Sequence, residues 1–267
     1  MFKRPIDPEP GALDLLRAAS LSTTPVSLGH RRTSSPHEYY RYPARFSPEF
    51  AAAAVDAFSE PGDLILDPFV GGGTTLVEAR LLGRRAIGAD LNALATFVSQ
   101  AKARCYSRSD VDVVRRWAPR AVGAVCLSAP EPDLGEWQDN GYLVHLSTPQ
   151  TWRLRKVIAQ LLVSVDRLPA AAAMLARCAL LRTSQWALDM RSKIPTPSQF
   201  LAVLVQNAVG MADAADGYRT AVARADRSVP AEGKKRTVIL QEGLPGLSLR
   251  MADKGLRSPQ LVVTSPP

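Results

Sequence analysis

A glycine-rich segment, LILDPFVGGGTT, contains the residues whose types and spacing point most directly to chemistry. An apolar run ends at Asp67, three glycines (Gly71, Gly72 and Gly73) follow, and a second acid, Asp90, ends the next apolar run 23 residues after Asp67. Glycines let the backbone turn sharply and approach a ligand with no Cβ in the way. In doubly wound folds an acid about 20 residues after such a turn binds a ribose hydroxyl pair, so the combination predicts an adenosine-type ligand of open kind. The glycines alone fit a plain strand-to-helix turn equally well, and a phosphate-binding P-loop is disfavoured because its Gly-Lys-Ser/Thr ending is absent.

A second segment, LVVTSPP at residues 261–267, runs from apolar and β-branched residues directly into Ser265-Pro266-Pro267. Proline fixes φ and carries no amide donor, so the oxygens of such a turn are held rigidly. Three interpretations follow: the turn is a site, part of the protein lies beyond it, or the prolines simply end a strand.

Three motifs, DPFVGGGTT, GADLNALA and TSPP, resemble those of the DNA amino-methyltransferases. These enzymes transfer a methyl group from S-adenosylmethionine to an exocyclic nitrogen of a base. HEYYRYPARFSPEF is similar to the element that closes over the methionine end of the cofactor in this family. The resemblance covers about residues 37–100 and 236–267, with the cofactor region first and the tetrad last.

The resemblance implies S-adenosylmethionine as the cofactor and assigns residues to it. The methionine and sugar side would be lined by Asp67, Pro68, Phe69, Gly71, Gly73, Thr74 and Thr75. Asp90 would bind the ribose, and the adenine would lie beside Leu91 and Asn92. The closing element would comprise His37, Pro43, Arg45 and Phe46. The alternative for this element is an ordinary exposed loop. Family members place an acid near the adenine amine after the third strand. In this sequence QEGLPG follows that strand, so either Glu242 takes the place of the acid or the contact is absent.

The resemblance makes Ser265, Pro266 and Pro267 the catalytic residues. A base amine is a poor nucleophile because its lone pair is delocalised into the ring. The Ser265 hydroxyl and the Pro266 carbonyl would accept its two hydrogens and direct the lone pair at the methyl group, once the base has left the duplex. The aromatic residue that stacks the base in the family would follow the second proline. Attack through carbon 5 is disfavoured, because it needs a reactive thiolate and Cys178 lies in an apolar helical pattern.

The net charge of +8 and the pI of about 9.7 indicate either a solvated basic surface or a nucleic-acid partner. Phosphate neutralisation needs clustered cations. The candidate contacts to double-stranded DNA are Arg104, Arg108, Arg115 and Arg116, with Arg120 nearby, and Lys234, Lys235 and Arg236.

The elements that must position these residues form an α/β pattern. DLILD, RRAIGAD, RTVIL and QLVVT predict four parallel strands of a doubly wound, Rossmann-like methyltransferase sheet that is incomplete at the C-terminus. PEFAAAAVDAF and TTLVEARLLG predict helices between them. We expect an arm over 1–36, the cofactor part over 37–103, a helical insertion over 104–230 and a return to the sheet over 231–267.

Other classes are disfavoured by the sequence. No apolar run approaches the roughly 18 residues of a membrane span, and the N-terminus lacks the apolar core of a signal peptide, so we expect a cytoplasmic protein with no membrane partner. Three cysteines and three histidines fall in no metal-ligand spacing, so no metal is expected.

The sequence therefore predicts a site-specific DNA amino-methyltransferase that favours N4 of cytosine over N6 of adenine. The alternatives are an RNA base amino-methyltransferase and a non-catalytic subunit that binds cofactor or a partner. We expect the chain to be the N-terminal part of a split enzyme, completed by a second polypeptide that supplies the residues after Ser-Pro-Pro, or else part of a longer chain. Both versions predict no turnover by residues 1–267 alone.

Overall fold

The computed structural model describes residues 35–43, 46–133, 135, 146–189, 193–228 and 237–265. The described residues fall into two compact units. One comprises 42–103 and the part of the chain after 220, and the other comprises the residues up to 41 together with 104–220.

The first unit is built on a parallel sheet with the strand order β3-β2-β1-β4. The strands are β1 (Leu64–Asp67), β2 (Arg85–Asp90), β3 (Thr237–Gln241) and β4 (Leu261–Val262). In register, β1 pairs with β2 from Leu64↔Arg85 onward and with β4 from Ile65↔Leu261 onward. The chain moves outward from β1 to β3 and then returns to the other side of β1. The order therefore reverses between β1 and β4, which confirms the predicted doubly wound α/β class.

The helices of the described residues are α1 to α8 in chain order: α1 (Pro48–Phe58), α2 (Thr74–Leu81), α3 (Ala93–Ala103), α4 (Arg108–Gly123), α5 (Trp152–Val165), α6 (Ala170–Leu188), α7 (Pro197–Ala225) and α8 (Leu244–Asp253). Helices α1 and α2 begin and end close to where the sequence predicts. Helices α5 to α7 lie within residues 104–230. The sequence analysis did not assign α3, α4 or α8. Helix α8 is the crossover that a parallel connection from β3 to β4 requires.

Each face of the sheet carries its own apolar core. On one face Ile65 and Ala86 pack with Val55 of α1 and Leu76 of α2. On the other face Leu66 and Ile87 pack with Leu247 and Met251 of α8. Successive strand residues thus alternate between two helical layers, as a buried parallel sheet demands.

The second unit is helical and contains α4, α5, α6 and most of α7, together with a 3₁₀ turn at Pro36–Tyr39. Its core includes Tyr39, whose hydroxyl donates to the Met211 carbonyl at 3.0 Å, and Tyr106, both fully buried. Cys178 is buried within α6, as its apolar surroundings predict. Within the described ranges, no helix combines the length and the apolar character that crossing a membrane requires.

Candidate functional site

The glycine turn connects the carboxyl end of β1 to the first turn of α2. Gly71 and Gly73 have φ values of +45° and +78°, in the left-handed region that favours glycine. A Cβ on Gly73 would lie 2.8 Å from the Ser99 backbone of α3, so the turn sits against that helix with no room for a side chain. The Val70 amide donates to the Ala89 carbonyl at 2.9 Å and fixes the turn at the end of β2. Thr74 and Thr75, which begin α2, are buried beneath it.

Asp90 ends β2 and ties two loops together. Its Oδ2 accepts from the Gly71 amide at 3.0 Å, and its Oδ1 accepts from the Asn92 amide at 2.9 Å. The side chain is half-buried. A carboxylate oxygen can accept about two hydrogen bonds, so each oxygen retains capacity for a further donor such as a ligand hydroxyl.

Asp67 ends β1 and is 4% exposed. Its Oδ1 accepts from the Phe69 amide at 3.2 Å and from the Thr264 hydroxyl at 2.8 Å. Thr264 stands directly before Ser265 in the TSPP segment. The two motifs of the sequence therefore meet at the carboxyl ends of β1 and β4, where the strand order reverses and where open α/β sheets bind their ligands.

The electrostatic state of Asp67 reflects two opposing influences. Burial raises the pKa of its carboxyl above the ordinary value, because a charged group loses hydration there. Hydrogen bonds from the Thr264 hydroxyl and the Phe69 amide lower the pKa in part, while the negative charge of Asp90 raises it further. The pKa of Asp67 is therefore raised overall. A positively charged ligand group next to this carboxyl would favour its ionised form and lower the pKa again.

The segment predicted to close the site packs partly on the glycine turn. A Cβ on Gly72 would lie 3.0 Å from the Cβ of Tyr42, so this tyrosine covers the turn. Phe46 packs against the core of the first unit, and Pro43 is exposed. His37 lies in the 3₁₀ turn of the second unit, and Arg45 falls outside the described residues.

The residues predicted beside the adenine lie in the turn after β2. Leu91 is 74% exposed, an unusual state for a large apolar side chain. A Cβ on Gly243, which follows β3, would lie 3.3 Å from the Leu91 side chain. Asn92 is exposed and its carboxamide oxygen accepts from the Leu94 amide at 2.9 Å, which caps α3. Glu242 accepts from the Gly243 amide and from Arg250, each at 3.2 Å, so it is held at the start of α8.

The catalytic residues predicted from the tetrad are described only in part. Ser265 is exposed at the end of the β4 segment. Pro266 and Pro267 lie outside the described residues, as do Lys234, Lys235 and Arg236.

The predicted DNA-contacting arginines of the second unit have different environments. Arg104 stacks 5.9 Å over the Tyr106 ring, and Arg108 and Arg116 are exposed on α4. Arg115 instead bonds Asp213 at 2.7 Å and Asp216 at 2.9 Å, with Asp112 at 3.2 Å. Those contacts raise the pKa of Arg115 and commit its guanidinium to carboxylates.

Sequence reasoning assigned no role to Thr264 or Tyr42. Thr264 could have been found from the topology: if β4 lies beside β1, the residue after its last apolar position falls next to Asp67. Tyr42 gave no comparable signal, because its contact with the glycine turn depends on how an irregular segment folds.

Comparison with known proteins identifies related sequences for part of the chain. Residues 24–100 match the family model for DNA methylases of the N6/N4 type. Among related proteins, the tRNA (guanine(10)-N2)-dimethyltransferase of Methanothermobacter thermautotrophicus is 35% identical over 92 residues, which is 34% of this chain and 27% of the relative. The type II methyltransferase M.BsoBI of Geobacillus stearothermophilus is 40% identical over 67 residues, 25% of this chain and 13% of the relative. The type II methyltransferase M1.MboII of Moraxella bovis is 51% identical over 47 residues, 18% of this chain and 17% of the relative.

These matches are local. The chain spans between 13% and 27% of the length of the three relatives. No solved structure gives a significant match.

Proposed function

We propose that this chain, whose residues 24–100 match the model of the N6/N4 DNA methylase family, takes part in transfer of a methyl group from S-adenosylmethionine to an exocyclic amine of a DNA base. The observation that carries the proposal is the 2.8 Å hydrogen bond between Thr264 and Asp67. It brings the TSPP segment to the glycine turn at the point where an open α/β sheet binds ligands.

The residues at this edge fit an adenosine-type cofactor with a cationic methionine end. Asp90 retains acceptor capacity for ribose hydroxyls, and exposed Leu91 offers an apolar surface to an adenine ring. Asp67 supplies a carboxyl whose ionisation a positive ligand group would favour. When bound, S-adenosylmethionine would supply the electrophilic methyl group.

Ser265 is proposed to act on the acceptor base. Its exposed hydroxyl can accept a hydrogen bond from a base amine that has left the duplex. Serine at the head of the tetrad favours N4 of cytosine over N6 of adenine, by the resemblance to the family.

An RNA amine is the second candidate acceptor. The observation that favours it is the relative named as a tRNA guanine-N2 dimethyltransferase, which matches over 92 residues. DNA remains the preferred substrate because the family model and the two type II relatives concern DNA methylation.

We further propose that a second polypeptide completes the site by pairing with β4. Within the described residues β4 is an edge strand, bonded to β1 on one side, and Val262 is 53% exposed. An exposed apolar edge of this kind is a template for another strand.

The test measures methyl transfer by the full chain, alone and together with the product of the adjoining gene. Each preparation is incubated with methyl-labelled cofactor and either duplex DNA or a tRNA transcript, and the digested nucleosides are identified by mass spectrometry. We expect N4-methylcytosine in DNA when the second protein is present, and none with Ser265→Ala. Label in RNA alone would overturn the DNA assignment, and failure of the chain to bind S-adenosylmethionine would overturn the proposed function.

A further inference from the structure

We propose that Thr264 is a positioning residue: its hydroxyl prepares the Asp67 carboxylate for a cationic ligand and ties the segment before Ser265 to the cofactor side. This inference rests on the proposed function, since it concerns the same site. It adds a physical link between the part that holds the cofactor and the part that holds the base.

The placement of Thr264 follows from the pairing of β4 with β1. The Gln260 amide donates to the Leu64 carbonyl at 2.9 Å, and the Val263 amide donates to the Leu66 carbonyl at 3.0 Å. Val263 is 8% exposed and packs into the core. The backbone is thus fixed up to the residue before Thr264, which leaves the hydroxyl of Thr264 beside the end of β1.

The hydrogen bond at this point has a defined direction. Thr264 Oγ1 donates to Asp67 Oδ1 at 2.8 Å, on the oxygen that also accepts from the Phe69 amide. A donor favours the ionised form of a carboxyl and thereby lowers its pKa. Thr264 therefore acts against the burial that favours the neutral acid.

The other groups that face Asp67 do not replace this contribution. The Phe69 amide also donates to Asp67 and lowers the pKa of its carboxyl, and Asp90 from β2 is the charged group that raises it. The buried hydroxyl of Thr75, which lies near Asp67 in α2, has no hydrogen-bond partner among the described residues. Removal of the Thr264 hydroxyl should therefore move the pKa of Asp67 further upward. A ligand that needs the carboxylate would then bind only at higher pH.

The hydrogen bond between Thr264 and Asp67 also couples residues 261–265 to cofactor binding. A cation beside Asp67 would keep the carboxyl ionised, which strengthens its hydrogen bond to Thr264. Ligand binding on the β1 side would then restrain residues 261–265. By thermodynamic reciprocity, ordering that segment would also raise affinity for the cofactor.

The experiment compares the full chain with Thr264→Val, which removes the hydroxyl at nearly constant shape, and Thr264→Ser, which retains it. The titration of Asp67 is followed by carboxyl-carbon NMR without ligand. Binding of S-adenosylmethionine is measured by calorimetry from acid pH to neutrality. Hydrogen exchange of residues 261–265 is measured with and without the cofactor.

We expect the Asp67 titration of Thr264→Val to move upward by about one to two pH units, because a hydrogen bond to a charged group changes an equilibrium about ten- to a hundredfold. The pH dependence of cofactor binding should move by the same amount, and cofactor-induced protection of residues 261–265 should be lost. Thr264→Ser should behave as the wild type in all three measurements.

Two other results are informative. Equal loss of affinity at every pH, with an unmoved Asp67 titration, would show that Thr264 is merely structural and would overturn the inference. A shifted Asp67 titration in a chain that does not bind S-adenosylmethionine would overturn the proposed function instead.

Discussion

The hydroxyl of Thr264 and the carboxylate of Asp67 lie 2.8 Å apart although 197 residues separate them in the sequence. Their contact lies where the strand order reverses, because Asp67 ends β1 and Thr264 follows the neighbouring strand β4. The crevice at such a reversal lies between helices that pack on opposite faces of the sheet. The hydrogen bond thus lies at the edge of the described sheet where the segment after β1 and the segment after β4 begin.

The first prediction concerns stability and pH. Burial raises the pKa of folded Asp67 above its ordinary value of 3.8, so the unfolded chain ionises first as the pH rises. The contribution of this residue to stability is complete below the pKa of the unfolded chain and is lost as the pH rises through the folded pKa. Asp67→Asn cannot ionise, so its free energy of unfolding should match that of the wild type at acid pH and exceed it near neutrality. Each unit by which the pKa is raised corresponds to about 1.4 kcal/mol.

Urea unfolding across the acid range, monitored by circular dichroism, measures this difference. The variant should also lose affinity for S-adenosylmethionine, since the carboxylate is proposed to attract its positive end. A gain in stability with a loss of binding is the signature of a residue retained for function. A stability difference that stays constant with pH would show that Asp67 does not titrate in this way.

A second prediction isolates the proposed contact between Asp90 and ribose. Simple removal of Asp90 would also disturb the loops, because both of its oxygens hold backbone amides. We therefore compare S-adenosylhomocysteine with an analogue lacking the 2′-hydroxyl, in the wild type and in Asp90→Asn. The wild type should prefer the full ligand about tenfold or more, the strength of a hydrogen bond to a charged group. The variant should show a much smaller preference.

The comparison is a double cycle of the substitution and the missing 2′-hydroxyl. A disturbance of the loops alone would weaken both ligands equally, so only a direct contact between Asp90 and the hydroxyl changes the ligand preference. Calorimetry provides the four dissociation constants. If the ligand preference were the same in both proteins, Asp90 would be a structural link between turns and not a ribose ligand.

The sequence predicts the glycine-turn side of this candidate site better than the side formed by the β4 segment. Asp67, Gly71 and Asp90 are local to one β-α-β unit, in which apolar runs and glycine positions determine where the chain turns. Thr264 belongs to the same site through strand order, which depends on how β3, α8 and β4 cross over. Such a crossover is not encoded in the spacing of any local motif.

Helix α8 shows why that crossover escaped prediction. Its first turn contains Pro245 and Gly246, which read as a loop when taken alone. Proline is in fact favoured in a first helical turn, and Leu247 and Met251 stand four residues apart and are buried on the sheet. Tertiary packing of that narrow apolar face outweighs the weak intrinsic propensity.

A third prediction tests the close fit of the glycine turn. Gly73→Ala would combine a left-handed backbone conformation with a Cβ only 2.8 Å from the Ser99 backbone. We expect the free energy of unfolding to fall by about 2–5 kcal/mol. Gly210→Ala is the matched control, since a Cβ there meets nothing within 4 Å and the site lies inside α7, where alanine should add up to about 1 kcal/mol. Chemical denaturation measures both, and similar stability of the two variants would contradict the fit.

The last prediction separates adjacent arginines of α4 by the charges around them. Arg115 belongs to a network of three carboxylates and two guanidiniums, which also contains Arg219. That network carries net negative charge and should not attract a phosphate, whereas Arg116 is exposed. Arg116→Ala should therefore flatten the slope of log affinity against log salt for duplex DNA by about 0.9, the value for one phosphate contact. Arg115→Ala should leave the slope unchanged and lower the free energy of unfolding by about 1 kcal/mol, as expected for a partly exposed ion-pair network.

Fluorescence anisotropy with a labelled duplex at several salt concentrations gives the slopes. If Arg115→Ala flattened the slope as much as Arg116→Ala, the carboxylate network would have to open when DNA binds.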